Sequence, residues 1–394
     1  MSSSSNDRSL GRREFLRLGA LGASSAGVAG AAFGQNAAPE SAAPAAPATG
    51  TPVSRILGRT GLKVNVVGIG TLQITEPALI QAAMDLGVNY IDTARVYING
   101  RSEETVGKAV EGRRDKVFIS TKTPPGTKTK QGIVEGVEKS LKAINTDYID
   151  VLELHQFNDA SLVQNAELRE ALTELRKAGK IRWVGCTTHK NQAVVLNALA
   201  DDPDKFFDVV MLAYNFQSGL DVKDGIARVA KNGMGVVAMK TQNGGYKAEA
   251  LGGISPHQAS LKWVLSDPNI VCAVPGMVDL VQIRENVEVM HSLKLTRVDE
   301  QILERYAEAV KPTYCGLCGK CEPGCPLGVQ VSTVNRSLMY AEGYGDMALA
   351  RETYRGIPGG ASAVACGDCA ECTARCVRGL DIAAKMRQAR GLFG

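Results

Sequence analysis

The chain has almost no surplus of charge. Its 45 lysines and arginines nearly balance 41 aspartates and glutamates, leaving a formal net charge of +4 over 394 residues. So small an excess excludes charge-driven binding to nucleic acid. Long hydrophobic runs are missing too. The apolar stretch over residues 18–33 is too short and too rich in glycine to read as a membrane span. Histidine is scarce, at four residues, and no flavin-binding motif is visible. What is present is 44% hydrophobic and 22% charged residues, ample for a core, which excludes a wholly disordered chain. The length fits two or three domains, or one large barrel with an addition. Ten cysteines are present, and eight of them crowd into two clusters near the C-terminus.

The first 52 residues read as targeting segment and linker rather than fold. A polar start leads to Gly11-Arg12-Arg13-Glu14-Phe15-Leu16-Arg17, then to the apolar stretch. This order resembles a twin-arginine export signal, with Gly11 in place of the usual Ser or Thr. Ala32-Phe33-Gly34 offers small residues at the spacing a signal peptidase needs, so residues 1–34 are expected to be the signal. A retained membrane anchor is the competing expectation. Residues 35–52 are rich in Ala and Pro, as a linker is. The resemblance implies the twin-arginine export machinery as a partner and a periplasmic or otherwise extracytoplasmic location.

From residue 53 to residue 311 the pattern alternates. Short β-branched runs at 66–70, 90–92, 117–121, 149–154, 183–186, 209–212, 236–239 and 271–274 predict strands. Amphipathic stretches between them, such as 77–86, 102–110, 132–144 and 166–178, predict helices. In the last, Leu168, Leu172 and Leu175 form one apolar stripe, and Gly179 follows where a helix end tolerates positive φ. Eight such units predict an α/β fold, a parallel (β/α)8 TIM barrel. Residues 55–64, with turn residues Gly58, Thr60 and Gly61, predict a hairpin across the barrel's bottom.

Chemistry in such a barrel sits at the C-terminal ends of the strands. Asp92, Lys122 and His155 end the second, third and fourth strands, and Tyr97 follows in the next loop. A phenol is a weak acid, and a nearby ammonium lowers its pKa. A carboxylate orients that ammonium, and a histidine can bond a substrate oxygen. Such a group protonates a carbonyl oxygen as hydride reaches its carbon, or does the reverse. With Gly87-Val88-Asn89-Tyr90-Ile91-Asp92-Thr93-Ala94, Ser102-Glu103, Ile119-Ser120-Thr121-Lys122 and Asp150-Val151-Leu152-Glu153-Leu154-His155, the region 53–311 resembles the aldo-keto reductase family. The resemblance implies a catalytic tetrad of Asp92, Tyr97, Lys122 and His155.

It also implies a nicotinamide dinucleotide, NAD(P)(H). Val274-Pro275-Gly276-Met277 and Gln282, Glu285 and Asn286 resemble the family's dinucleotide segment at a helix N-terminus. NADPH-preferring members often carry Lys at the place of Gly276 and Arg at the place of Gln282, so this sequence leans toward NADH. Thr187 and Thr188 stand where the family often has Ser-Asn, and Met211 where it has Gln. Met239, followed by Lys240, replaces the stacking tyrosine, a pairing that resembles an iron–sulfur-containing subfamily.

The tail, residues 312–394, carries Cys315-x2-Cys318-x2-Cys321-x3-Cys325-Pro326 and Cys366-x2-Cys369-x2-Cys372-x3-Cys376. Both have the spacing of bacterial-type ferredoxin ligands, in which the fourth cysteine serves the other cluster. Four disulfides, or zinc held by thiolates, are the competing uses. The repeated spacing favours a small ferredoxin-like domain with two [4Fe–4S] clusters. One is expected on Cys315, Cys318, Cys321 and Cys376, the other on Cys366, Cys369, Cys372 and Cys325. A twin-arginine route suits a cofactor loaded before export. A helix and loops are expected between the two runs, and Cys186 and Cys272 are expected to be buried.

These readings converge on an exported oxidoreductase acting on a small carbonyl or alcohol, with clusters passing electrons to or from a redox partner protein. The alternative is a non-catalytic electron-transfer or binding protein that uses the barrel as scaffold. Substrate identity and oligomeric state are not legible.

Overall fold

The computed structural model describes residues 50–246, 251, 254–369 and 371–394. The expected export signal and most of the expected linker therefore lie outside the described residues. Those from Gly50 onward belong to one compact unit, barrel and tail together.

A hairpin comes first. Strand β1 (Ser54–Ile56) pairs antiparallel with β2 (Lys63–Asn65). The parallel sheet follows: β3 (Ile69–Gly70), β4 (Tyr90–Asp92), β5 (Phe118–Lys122), β6 (Ile149–Leu154), β7 (Ile181–Thr188), β8 (Val209–Ala213), β9 (Gly235–Met239) and β10 (Cys272–Ala273). Neighbours in sequence are neighbours in the sheet. Bridges Val67↔Ala273 and Gly70↔Gly276 bring the first and last of these strands together, so the eight form a nearly closed barrel. The outer helices are α1 (Pro77–Asp85), α2 (Arg101–Val110), α3 (Lys130–Ile144), α4 (Ala166–Lys177), α5 (Gln192–Ala200), α6 (Leu220–Lys231), α7 (His257–Ser266), α8 (Leu280–Glu288) and α9 (Arg297–Val310).

The expected (β/α)8 order holds, and most boundaries move by a residue or two. The larger differences follow from how each strand is paired. The apolar runs 66–70 and 271–274 form only two-residue strands because they meet at the seam, where pairing is by isolated bridges. The run 183–186 extends to Ile181–Thr188 because β7 is paired on both sides.

The pleat sorts the strand residues. Tyr90, Val151, Val209, Met211 and Val237 fill the barrel with Leu57 and Val64 of the hairpin. Ile91, Leu152, Val184, Val210 and Val236 face the helices. Leu57 packs against Gly235 at the start of β9, so the hairpin closes the bottom and leaves the C-terminal mouth for chemistry. Cys186 and Cys272 are fully buried. On α4, Leu168, Leu172 and Leu175 are buried as the stripe predicts, and Gly179 takes φ +71° after it.

The tail folds as α10 (Val331–Glu342), α11 (Met347–Arg355), α12 (Ile382–Phe393) and short 3-10 turns, with no strand among its described residues. Two helices rather than one separate the cysteine runs, because Gly343-Tyr344-Gly345 breaks the chain between α10 and α11. A side chain at Gly343 would put its Cβ 2.0 Å from the carbonyl oxygen of Gly244, so the end of α10 lies backbone to backbone on the loop after β9. Lys190–Glu322 at 3.1 Å and Asn215 Nδ2 to Tyr314 Oη at 2.8 Å also tie tail to barrel mouth.

Candidate active site at the mouth of the barrel

Asp92 and Lys122 end adjacent parallel strands, so their side chains rise side by side at the mouth. The Lys122 ammonium donates to Asp92 Oδ1 and, at 2.8 Å, to the carbonyl of Thr93. Lys122 is 1% exposed. Burial alone would lower its pKa, but Asp92, Tyr97 and Glu153 outweigh that and raise it, so the ammonium keeps its charge. Burial lifts the Asp92 carboxyl above its ordinary value against the pull of Lys122. The proton of the pair stays on the lysine.

The same ammonium lies 5.0 Å from the centre of the Tyr97 ring. The expected net lowering of the Tyr97 pKa is not found. Burial raises it more than Lys122 lowers it, with Asp92 adding to the rise. The phenol therefore holds its proton through neutral pH, which suits a proton donor.

Two residues beside Tyr97, Ile98 and Asn99, sit at φ +53° and +55°. A β-branched residue is strained there, a cost typical of functional loops. Arg95 holds the turn: it pairs with buried Glu103 at 2.6 Å and donates to Gly100 O at 2.8 Å. Glu103 also accepts from Thr121 Oγ1 at 2.7 Å, next to Lys122. Ser102 Oγ lies 2.8 Å from the hydroxyls of both Thr71 and Thr93, below Asp92.

His155 completes the group. Its ring stands edge-on to Tyr97, centroids 6.1 Å apart. Burial and then the charges of Lys122, Arg336 and Lys240 push its pKa well down, so it is neutral and able to bond an oxygen.

A cavity of about 680 Å³ opens above these residues. It reaches from Tyr97 and His155 past Met239 and Lys240 to Gly276 and Gln282. Of the residues the resemblance assigns to the dinucleotide, Met239, Lys240, Gly276 and Gln282 line it, together with Val274 and Pro275. The other five have different surroundings. Thr187 Oγ1 accepts from Gln156 N at 3.0 Å, and Thr188 Oγ1 donates to Lys190 O at 2.9 Å, so both hydroxyls serve the loops. Met277 is in the core, Glu285 faces His257 at 3.5 Å, and Asn286 accepts from Gln242 Nε2 at 2.9 Å.

Sequence reasoning missed three participants. His189 follows β7 directly and lines the cavity, its ring 6.3 Å from that of His155. The scarcity of histidine was the available signal. Glu153 is fully buried, 4.0 Å from Lys122, and burial pushes its pKa up to about 8. A lone acid in the apolar run Val151-Leu152-Glu153-Leu154 was the signal there. The third is a face of α10: Ser332, Arg336 and Tyr340, spaced by four, roof the cavity from the tail. No motif marks them.

In the tail the eight thiols fall into two groups, and all are free. Burial raises the Cys315 thiol to about 12, with Cys321, Cys318 and Cys376 adding to the rise. Burial likewise raises Cys366, and its neighbours are Cys325, Cys369 and Cys372. Backbone N–H groups of Leu317 and Arg378 donate to Cys315 Sγ and Cys376 Sγ, each at 3.4 Å.

The family model for the aldo/keto reductase family matches residues 75–250. Oxidoreductase YqkF of Bacillus subtilis is 25% identical over 297 residues, covering 64% of this chain and 96% of that protein. Methylglyoxal reductase YeaE of Escherichia coli is 26% identical over 252 residues, covering 60% and 86%. Among solved structures, an aldo-keto reductase of Klebsiella pneumoniae in complex with NADPH superposes with a TM-score of 0.56 at 24% identity, over 65% of this chain and 95% of that one. A nearly closed parallel barrel with Asp92, Tyr97, Lys122 and His155 gathered at its mouth defines a carbonyl-reducing type of site. Residues 75–250 match the aldo/keto reductase family, and the chain is an aldo-keto reductase-type oxidoreductase.

Proposed function

We propose that the chain interconverts a small carbonyl compound and its alcohol with a bound nicotinamide dinucleotide, and that its tail holds two [4Fe–4S] clusters that exchange electrons with a partner. The observation that carries the catalytic part is the convergence of Lys122, Asp92, Tyr97 and His155 on one cavity. In the reducing direction His155 bonds the carbonyl oxygen and orients it. Tyr97 gives that oxygen its proton, and Lys122, fixed by Asp92, offsets the negative charge left on the phenol. When bound, the reduced nicotinamide supplies the hydride to the carbonyl carbon. YeaE's name makes methylglyoxal the first compound to try.

The cavity's reach from Met239 to Gly276 and Gln282 supports a dinucleotide. NADH is the better fit. Gln282 Nε2 donates to the Asp279 carboxylate at 3.1 Å, and an acid there repels a 2′-phosphate.

The thiol groups fit the clusters. Each run of three stands with the fourth cysteine of the other run, the interleaving of two-cluster ferredoxins. N–H···S bonds from Leu317 and Arg378 stabilise thiolate charge. Among the described residues no three His, Cys, Asp or Glu stand close enough to hold a metal ion, so the cluster reading rests on the repeated ligand spacing and on which thiols neighbour one another. Loaded clusters would supply one-electron exchange with a partner. Export by the twin-arginine route, read from Arg12-Arg13 and the apolar stretch after them, suits a protein that folds around such clusters before crossing.

Anaerobic titration of the cluster-loaded chain with NADH and NADPH, following protein fluorescence and cluster absorbance together, tests this reading. Tighter binding of NADH with bleaching of the clusters is expected. No binding of either nucleotide by a chain with intact clusters would overturn it.

A further inference from the structure

The tail does more than carry cysteines, because it roofs the cavity with a cation. Arg336, in the middle of α10, is 8% exposed and lines the cavity. Its Nε is buried without a hydrogen-bond acceptor, and no carboxylate pairs with it among the described residues. A guanidinium held this way is costly unless an anion meets it. Lys240, at the end of β9, faces the same space and also lacks a carboxylate. It donates to the Tyr340 phenol at 3.1 Å. The acids lining the cavity do not answer this charge. Asp92 is committed to Lys122, and Glu352 is exposed.

We propose that Arg336, with Lys240 beside it, forms an oxyanion subsite for a carboxylate carried by the substrate, so that the preferred carbonyl compounds are oxo acids. This deepens the carbonyl-reductase reading and rests on it for the identity of the reacting group. The position of the arginine sets the choice of anion. Arg336 shares the cavity wall with His155 and His189, and its charge acts on both rings. Gly276 and Gln282, where a dinucleotide's far end is expected, line the same cavity, so NADH binding is the control that separates the two anions. A carboxylate there accepts two parallel hydrogen bonds from the planar guanidinium. Its carbonyl group is then directed toward Tyr97 and His155, across the same cavity. The barrel alone lacks this arginine, so the tail sets specificity.

The test is equilibrium binding to the intact, cluster-loaded chain, which needs no turnover. Phenylglyoxylate, its methyl ester and NADH are titrated in turn by calorimetry. The unaltered chain is expected to bind the acid at least tenfold more tightly than the ester. Arg336→Gln is expected to abolish that preference, and Arg336→Lys to keep part of it, while NADH affinity changes less than twofold. Equal affinity for acid and ester on the unaltered chain, including none for either, overturns the proposal, and this arm requires no variant to fold. A loss of NADH affinity in Arg336→Gln without loss of acid preference also overturns it and assigns the arginine to the dinucleotide's pyrophosphate. Acid preference in a chain that fails to reduce any carbonyl upholds the subsite and faults the catalytic reading instead.

Discussion

Lys240 Nζ donates a 3.1 Å hydrogen bond to Tyr340 Oη, joining the end of a barrel strand to a helix of the tail. The ammonium also lies 4.7 Å from the Tyr340 ring centre and 5.6 Å from that of Tyr344. Burial alone would raise the Tyr340 pKa, but Lys240 and Arg336 together bring it below 10.0. Tyr340 is thus expected to ionise before Tyr97, Tyr214, Tyr246, Tyr306 and Tyr314, which burial pushes up. Ultraviolet titration of the folded chain should lose one early step in Tyr340→Phe. The same change should cost about 1–2 kcal/mol of stability by removing the ammonium's acceptor.

Lys122 and Asp92 behave as a buried pair. Lys122→Met strands the Asp92 carboxylate and should destabilise the chain by about 3–5 kcal/mol in denaturant unfolding. Adding Asp92→Asn should recover most of that loss without restoring activity. Additive losses in the double variant would show that the two side chains do not interact.

Glu153 gives stability a pH dependence with a definite sign. Its carboxyl titrates near 4.5 when exposed and near 8 in the fold, because burial favours the neutral form. Between those values the unfolded chain releases a proton that the folded chain keeps. Stability due to this group therefore falls as pH rises from about 4.5 to about 8 and is flat beyond. Glu153→Gln should flatten that slope in thermal unfolding measured across the window.

The thiol grouping predicts paired phenotypes. Cys315→Ser and Cys376→Ser should each reduce bound iron by about half and remove the same paramagnetic signal if, as proposed, the two cysteines share one [4Fe–4S] centre. Cys366→Ser and Cys325→Ser should remove the other signal. If Cys376→Ser instead matched Cys366→Ser, ligation would follow the sequence runs and not the spatial groups.

Much of the barrel was legible because its signals are local. Tyr90–Asp92 and Ile149–Leu154 coincide with their apolar runs, and α4 with its stripe. The gathering of Asp92, Tyr97, Lys122 and His155 at one mouth was legible because strand ends and their flanking motifs place them. The seam strands were overdrawn, since closure by isolated bridges leaves no mark on hydrophobicity. Thr187 and Thr188 were assigned through the resemblance, but their hydroxyls turn to the loops, and His189, one residue on, takes the cavity. Arg336 and Tyr340 were illegible because nothing in α10 says which strand end it covers. The Tyr97 pKa depends on a competition between burial and charge that residue types alone do not weigh.

The central claim is that Tyr97 is the proton donor of a carbonyl reduction. Its most direct test is single-turnover reduction of methylglyoxal by the NADH-bound chain, comparing the unaltered protein with Tyr97→Phe. The account predicts a fall of about 10²–10⁴-fold in rate with NADH affinity unchanged. Equal rates in the two proteins would contradict it.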